Sequence, residues 1–109
     1  SFSNSSIKKI GHTKTIKEIV KKQASVAKLA KLDGIVCSGF EVKFLKNICK
    51  KMELITPGIR LPGDSKGDQK RVMTPDQAFK NGATSIVMGR SLTRNNIKNN
   101  IQKLIKSLN

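Results

Sequence analysis

Three stretches of the chain place apolar residues at intervals of three and four positions, with lysines and other polar residues between them. This spacing puts the apolar side chains on one face of an α-helix, because a helix turns once in 3.6 residues. The helices predicted in this way cover residues 13–31, 40–52 and 95–108. Each is amphipathic, so we expect one side to pack and the other to face water.

Short runs of branched apolar residues separate these helices and are too short to be helical themselves. They predict strands at residues 32–38, 54–56 and 85–88. The first and last of these runs are apolar without alternation, which is typical of strands that are buried on both faces of a parallel sheet. Pro57 and Gly58 end the middle strand.

Residues 61–73 (LPGDSKGDQKRVM) show no sustained period and contain two glycines and a proline, so they predict a long surface loop. Loops of this length are uncommon unless they serve a function. A fourth helix follows, because Thr74 is a suitable N-cap, Pro75 suits the first helical position and Gln77 completes a capping box. Gly82 is expected to end it.

The resulting order of elements is αβαβ, a long loop, then αβα, which predicts a parallel sheet with helices outside it. The pattern leaves two architectures open, a doubly wound sheet and a barrel. Three strands are too few to complete either, and a bare three-stranded sheet has two open edges. We therefore expect residues 1–109 to be a single partial domain that needs more protein, either the rest of its own barrel or a partner copy.

The chain carries 22 basic and 7 acidic residues, a net charge of +15, and would attract any polyanion. A basic nucleic-acid-binding protein is therefore one candidate. Against it, the lysines are scattered over the predicted helices, and four phenylalanines without tryptophan or tyrosine provide few surfaces for stacking bases. The four arginines instead all lie within residues 60–94, near predicted strand ends, and a guanidinium is well suited to phosphate.

Other reactive side chains have no obvious partners in the sequence. Cys37 and Cys49 lack companions at the spacing of metal ligands, so we expect buried, reduced thiols. His12 has no neighbouring nucleophile or carboxylate, and we assign it no role. No apolar run approaches the ~20 residues that a membrane-spanning helix needs, and residues 1–6 do not read as a secretory signal. We expect a cytoplasmic protein.

Three motifs follow predicted strands or lie in the long loop, where parallel sheets and barrels build their sites. They are TPGIR at 56–60, GDQKR at 67–71 and MGR at 88–90. Together they predict a phosphate clamp in which Arg60 and Arg90 are charged donors and Gln69 is an amide donor. Gly89 has no side chain, so the backbone there can approach a ligand closely.

The motifs DGIVCS, TPGIR, GDQKRVMTPDQA and IVMGRSLT, in this order, resemble those of the orotidine 5'-phosphate decarboxylase family. The resemblance covers essentially the whole chain and implies the C-terminal part of a (β/α)8 TIM barrel, with its sixth, seventh and eighth strands. It further implies that Arg60, Gln69, Gly89 and Arg90 contact the substrate, with Gln69 and Arg90 at the nucleotide 5'-phosphate. Orotidine or uridine 5'-monophosphate would be the ligand, no metal or organic cofactor is implied, and the complete barrel would form a homodimer.

The reacting groups of that family lie in a D-x-K-x-x-D segment, where a lysine protonates C6 as carbon dioxide leaves. The 109 residues contain no such segment. Asp64, Lys66 and Asp68 have a spacing that is one residue short, and they lie in a predicted loop, so we expect them to be non-catalytic. The resemblance thus predicts a phosphate-binding portion of a decarboxylase that is inactive alone. A nucleic-acid-binding protein and an inactive remnant remain alternatives.

Overall fold

The computed structural model describes residues 4–5, 15–64 and 72–109, in which helices and strands alternate. The helices are α1 (Ile16–Leu29), α2 (Gly39–Ile48), α3 (Pro75–Asn81), α4 (Arg90–Thr93) and α5 (Ile97–Ser107). The strands are β1 (Gly34–Val36), β2 (Glu53–Thr56) and β3 (Ser85–Ile86). The predicted order is confirmed with one addition, because the single-turn helix α4 has no counterpart in the hydrophobic pattern.

The three strands form one parallel sheet in the order β1–β2–β3. Val36 lies opposite Ile55, and Thr56 lies opposite Ile86, so the carboxyl ends of all three strands lie at the same end of the sheet. Helices connect the strands, and successive helices pack side by side, α1 against α2 and α2 against α3. The sequence motifs that follow β2 and β3 are therefore neighbours in space.

The core lies around α2 and the middle strand. Val42 and Leu45 of α2 are completely buried, and Leu54 of β2 and Ala78 of α3 are nearly or completely so. The spacing of the two α2 residues puts both on the helix face that contacts the sheet and the neighbouring helices. This face is the one that the periodicity predicts.

The outer parts of the sheet are less well covered, contrary to the prediction of buried first and third strands. Val36 is 70% exposed and Val87, just after β3, is 51% exposed. Within the described residues no strand pairs with the outer edge of β1 or of β3. An apolar stripe of α5 is also exposed, at Ile97, Ile101, Ile105 and Leu108. These surfaces are what a closed barrel would cover with further strands and helices. No helix in the described part is long and apolar enough to span a membrane.

The helix α1 has a capping box at its start. The Thr15 hydroxyl accepts a hydrogen bond from the Glu18 N–H at 3.2 Å, and the Glu18 carboxylate accepts one from the Thr15 N–H at 3.1 Å. The predicted start at residue 13 lies outside the described residues, as does His12. The helix ends two residues earlier than predicted, because Lys31 adopts a left-handed conformation with φ of 58°. Its N–H donates to the Lys28 carbonyl, and the Leu32 N–H donates to that of Ala27, as in a Schellman motif.

The strain at Lys31 leads to a prediction about stability. A residue with a Cβ is disfavoured at positive φ, whereas glycine is not, so Lys31→Gly should raise the free energy of unfolding by up to ~1 kcal/mol. Urea denaturation of the two proteins would measure the difference. Lys28→Gly, in the last turn of the same helix, removes the same charge at a helical position and should be destabilising instead. Destabilisation by both changes would contradict the prediction.

α2 and β1 end or begin at other residues than the hydrophobic pattern predicts. α2 ends at Ile48 and not at residue 52, because Cys49 leaves the helical conformation and the chain turns toward β2. The apolar pattern extends beyond the end of the helix because Cys49, which follows it, still packs in the core. β1 is shorter than predicted, since Leu32 belongs to the end of α1 and Ser38 caps α2.

The later helices agree closely with expectation. Thr74 and Gln77 form the predicted capping box of α3, Pro75 occupies its first turn, and Gly82 ends it with φ of 117°. β3 covers only the first two of the four predicted residues. The last helix begins after Asn96, whose side chain accepts from the Asn99 N–H, and ends one residue before the predicted boundary.

Candidate functional site

The segment after β2 turns sharply and is held in place by a later part of the chain. Gly58 has φ of 74°, in the left-handed region that favours glycine. The Arg60 N–H donates to the Met73 carbonyl at 3.0 Å, and the Met73 N–H donates to the Gly58 carbonyl at 3.4 Å. Ile59 and Met73 thus form a parallel bridge. The long loop predicted at 61–73 therefore leaves and rejoins the structure at nearly the same place.

The ends of β2 and β3 are joined by a further hydrogen bond, from the Val87 N–H to the Thr56 carbonyl at 2.9 Å. The following residues of both strands surround a cavity of about 260 Å³. Its lining consists of Pro57, Gly58, Ile59, Arg60, Val87, Gly89 and Arg90. Three of the four predicted site residues are therefore brought together by the fold. The fourth, Gln69, lies outside the described residues with the rest of the GDQKR motif.

The cavity is suited to an anion. Its lining contains two guanidinium groups and no carboxylate, and a guanidinium presents its N–H donors in a fork that matches phosphate oxygens. Arg60 is half-buried and Arg90 is exposed, so water screens the charge of Arg90 more than that of Arg60. A side chain added at Gly89 would meet nothing within 4 Å. Packing within the described residues therefore does not require glycine there, and the space above the backbone is open.

The sequence analysis missed a serine beside the cavity and the structural role of an aspartate that it had considered only as a catalytic candidate. The buried Ser91 hydroxyl accepts from the Leu61 N–H at 2.8 Å and donates to the Asp64 carboxylate. Asp64 thus has a structural partner in this chain, and its lack of a catalytic role stays a prediction. Lys66 and Asp68 lie outside the described residues. Only the turn sequence LPGD hinted that this part of the loop is ordered.

The two cysteines are buried, as predicted. Burial raises the pKa of the Cys37 thiol to about 11, the nearby Glu41 carboxylate adds to the increase, and the Thr56 hydroxyl opposes it. Burial also raises the pKa of the Cys49 thiol. Both are therefore protonated at neutral pH and unsuited to act as thiolate nucleophiles. The described residues contain no group of three or more His, Cys, Asp or Glu side chains that could hold a metal ion.

A larger cavity of about 520 Å³ lies at the other end of the sheet, before β1 and β2. Four lysines contribute to its lining, Lys28, Lys31, Lys50 and Lys51. These residues cluster where α1 and α2 end, and cations at helix C-termini offset the partial negative charge of the last carbonyl groups. Their position thus has a structural explanation, and we place the candidate site at the arginine-lined cavity.

Known proteins resemble this chain in both sequence and structure. The orotidine 5'-phosphate decarboxylase of Prochlorococcus marinus (strain MIT 9312) is 51% identical over 81 residues, which are 73% of this chain and 34% of the relative. That of Coxiella burnetii (strain RSA 331 / Henzerling II) is 45% identical over 95 residues, 86% of this chain and 40% of the relative. The crystal structure of orotidine 5'-phosphate decarboxylase from Lactobacillus acidophilus superposes with a TM-score of 0.75 at 31% identity, covering 98% of this chain and 44% of that one.

The chain thus spans about two fifths of the length of the relatives that it matches. Its three parallel strands and flanking helices correspond to part of a (β/α)8 barrel, which confirms the predicted fold class and explains the open sheet edges. The sequence profile of the orotidine 5'-phosphate decarboxylase / HUMPS family matches residues 1–103. The chain therefore belongs to the orotidine 5'-phosphate decarboxylase / HUMPS family.

Proposed function

We propose that this chain forms the phosphate-binding part of an orotidine 5'-phosphate decarboxylase. The observation that carries the proposal is the convergence of Arg60, Gly89 and Arg90 on one small cavity at the carboxyl ends of β2 and β3. In barrels this end of the last two strands is a frequent phosphate site. The relatives that match the chain bear the name of this enzyme, which supports the same assignment.

Each residue of the site has a distinct role in this proposal. The guanidinium groups of Arg60 and Arg90 bind the 5'-phosphate of orotidine or uridine 5'-monophosphate, and the backbone at Gly89 approaches its oxygens. Gln69 supplies a further amide donor. A cavity of about 260 Å³ has room for a phosphate group. We assign no metal or organic cofactor to the site.

The proposed contribution to decarboxylation is remote from the bond that breaks. Binding energy gained at the phosphate raises the rate if it is realised in the transition state, because it holds the pyrimidine against the reacting groups. In the family those groups belong to the D-x-K-x-x-D segment, which does not occur in the 109 residues. The chain alone should therefore bind nucleotide without converting it. We further propose that the complete barrel is a cytoplasmic homodimer.

The test is a comparison of uridine 5'-monophosphate with uridine, titrated into the 109-residue chain by calorimetry. Each hydrogen bond to a charged group contributes ~1.5–3 kcal/mol. The monophosphate should therefore bind at least ~10-fold more tightly than the nucleoside. Inorganic phosphate should compete with it. Equal affinity for the two ligands would contradict the proposal.

The rival function, binding of nucleic acid, rests on the net charge of +15 alone. Two of the lysines make contacts within the chain. The ammonium groups of Lys17 and Lys21 lie 5.3 and 5.7 Å from the centre of the Phe44 ring, at the distance of a cation–π interaction. Nucleic-acid binding would show as affinity for an oligonucleotide that falls steeply with salt and exceeds the affinity for the mononucleotide. The family membership and the arginine-lined cavity favour the nucleotide.

A further inference from the structure

We propose that Ser91 is a positioning residue that joins the loop of Arg60 to the turn of Arg90, so that both guanidinium groups face one phosphate. This inference rests on the proposed function and deepens it. Its basis is a hydrogen-bonded junction beside the cavity, formed by Ser91, Leu61 and Asp64. Neither the hydrophobic pattern nor the family motifs assign a role to these three residues.

One side of the junction is a tight turn. The Asp64 N–H donates to the Leu61 carbonyl at 3.1 Å, with Pro62 and Gly63 between them, and Gly63 has φ of 87°. Proline followed by a glycine at positive φ is the signature of a type II turn. Because proline restricts φ and glycine relieves the steric penalty, this turn is locally favoured. It brings the Leu61 N–H and the Asp64 carboxylate close enough to reach the same group.

The other side of the junction is the Ser91 hydroxyl, which bonds both ends of that turn at once. It accepts from the Leu61 N–H at 2.8 Å and donates to the Asp64 carboxylate. Ser91 is only 7% exposed, and Leu61 is 4% exposed. The bond to the carboxylate is charge-assisted but open to water, because Asp64 is exposed, whereas the bond to the Leu61 N–H is buried. The Ser91 side chain therefore provides a hydrogen-bond partner for both Leu61 and Asp64 and anchors the turn to α4.

The junction lies next to both arginines in the chain, because Leu61 follows Arg60 and Ser91 follows Arg90. The bonds from Ser91 to Leu61 and to Asp64 therefore together set the distance between the two backbone segments that carry the guanidinium groups. The Arg60 segment is held on its other side by Met73. Two forked donors bind one phosphate well only when both have the correct geometry, so small displacements reduce affinity. Loss of the hydroxyl leaves every charge of the cavity in place, but it takes the acceptor away from the buried Leu61 N–H and so releases the two segments from each other.

The first variants to compare are Ser91→Ala and Thr93→Ala, with the affinity for uridine 5'-monophosphate as the readout. Ser91→Ala should weaken binding by roughly tenfold, about the effect of losing one hydrogen bond between a displaced guanidinium and the phosphate. Thr93 is the control on the same short helix, because it is exposed and its hydroxyl donates only within its own turn, to the Gly89 carbonyl at 3.4 Å, without reaching the Arg60 loop. Thr93→Ala should leave the affinity unchanged. Urea denaturation in parallel would show that both variants are folded.

A second pair, Asp64→Asn and Asp64→Ala, keeps the inference testable if Ser91→Ala does not fold, because Asp64 is exposed. Both remove one negative charge, which by itself would favour an anionic ligand. Only asparagine retains an oxygen that can accept from Ser91. Asp64→Asn should therefore bind at least as well as the unaltered chain, whereas Asp64→Ala should bind several-fold more weakly.

The outcomes separate the inference from the proposed function. If the unaltered chain does not distinguish uridine 5'-monophosphate from uridine, the proposed function fails. If it does distinguish them, but folded Ser91→Ala binds as well as Thr93→Ala, only the positioning role is overturned. Equal affinities of Asp64→Asn and Asp64→Ala would overturn it in the same way.

Discussion

Replacement of Arg90 by alanine should weaken the binding of uridine 5'-monophosphate by about tenfold to a hundredfold, the largest effect that we expect on ligand binding. Arg90 lines the cavity from the start of α4 and faces solvent, so part of its electrostatic attraction is screened, whereas its forked hydrogen bonds are not easily replaced. The affinity for uridine should not change, because the nucleoside has no phosphate. Calorimetric titration with both ligands measures the two effects.

Two further variants distinguish a specific clamp from general attraction. Arg90→Lys retains the charge but loses the planar fork, so it should recover only part of the affinity. Arg94→Ala removes the same charge four residues later, at the other end of α4, from a residue that does not line the cavity. We expect little change from it. If Arg94→Ala and Arg90→Ala weakened binding equally, the arginines would act only through net charge, and the nucleic-acid hypothesis would gain support.

Replacement of Leu45 by alanine should produce the largest loss of stability. Leu45 is completely buried on α2, in the cluster that joins this helix to β2 and α3. Removing a buried leucine side chain lowers the free energy of unfolding by ~2–5 kcal/mol, through lost transfer energy and the cavity left behind. Folded domains are stable by only ~5–15 kcal/mol. A chain with open sheet edges has little reserve, so this substitution should bring it close to unfolding at room temperature.

The measurement is the midpoint of urea denaturation followed by circular dichroism. Lys43→Ala is the control, because Lys43 lies on the same helix but is exposed. It should change the free energy of unfolding by no more than ~0.5 kcal/mol. Similar midpoints for Leu45→Ala and the unaltered chain would show that the core does not rest on α2.

The sequence predicted most of the architecture correctly, and the reason is that its signals are local. The capping box of Thr74 and Gln77, with Pro75 after it, acts within a single turn of chain and determines where α3 begins. Gly82 ends that helix because it tolerates positive φ. The motifs around Arg60 and Arg90 follow strands, and parallel strands bring their carboxyl ends to one edge whatever else the chain does.

The details that the sequence did not predict depend on contacts between distant residues. The single turn of α4 is too short to show a period, and its Ser91 bonds to Leu61, thirty residues earlier. The exposure of Val36 and Val87 could not be predicted either, because an apolar run looks the same whether or not other elements pack on the face of the sheet to which its side chains point.

Sequence alone therefore determined the elements, their order and the arginines that a phosphate site needs, since these depend on periodicity, caps and residue chemistry. Tertiary structure alone decided the size and lining of the cavity that Arg60, Gly89 and Arg90 share and the bond by which Ser91 holds its two sides together. The physical reason is that a site requires distances between segments far apart in the chain. Those distances are set by sheet register and by hydrogen bonds between loops, and neither follows from local pattern.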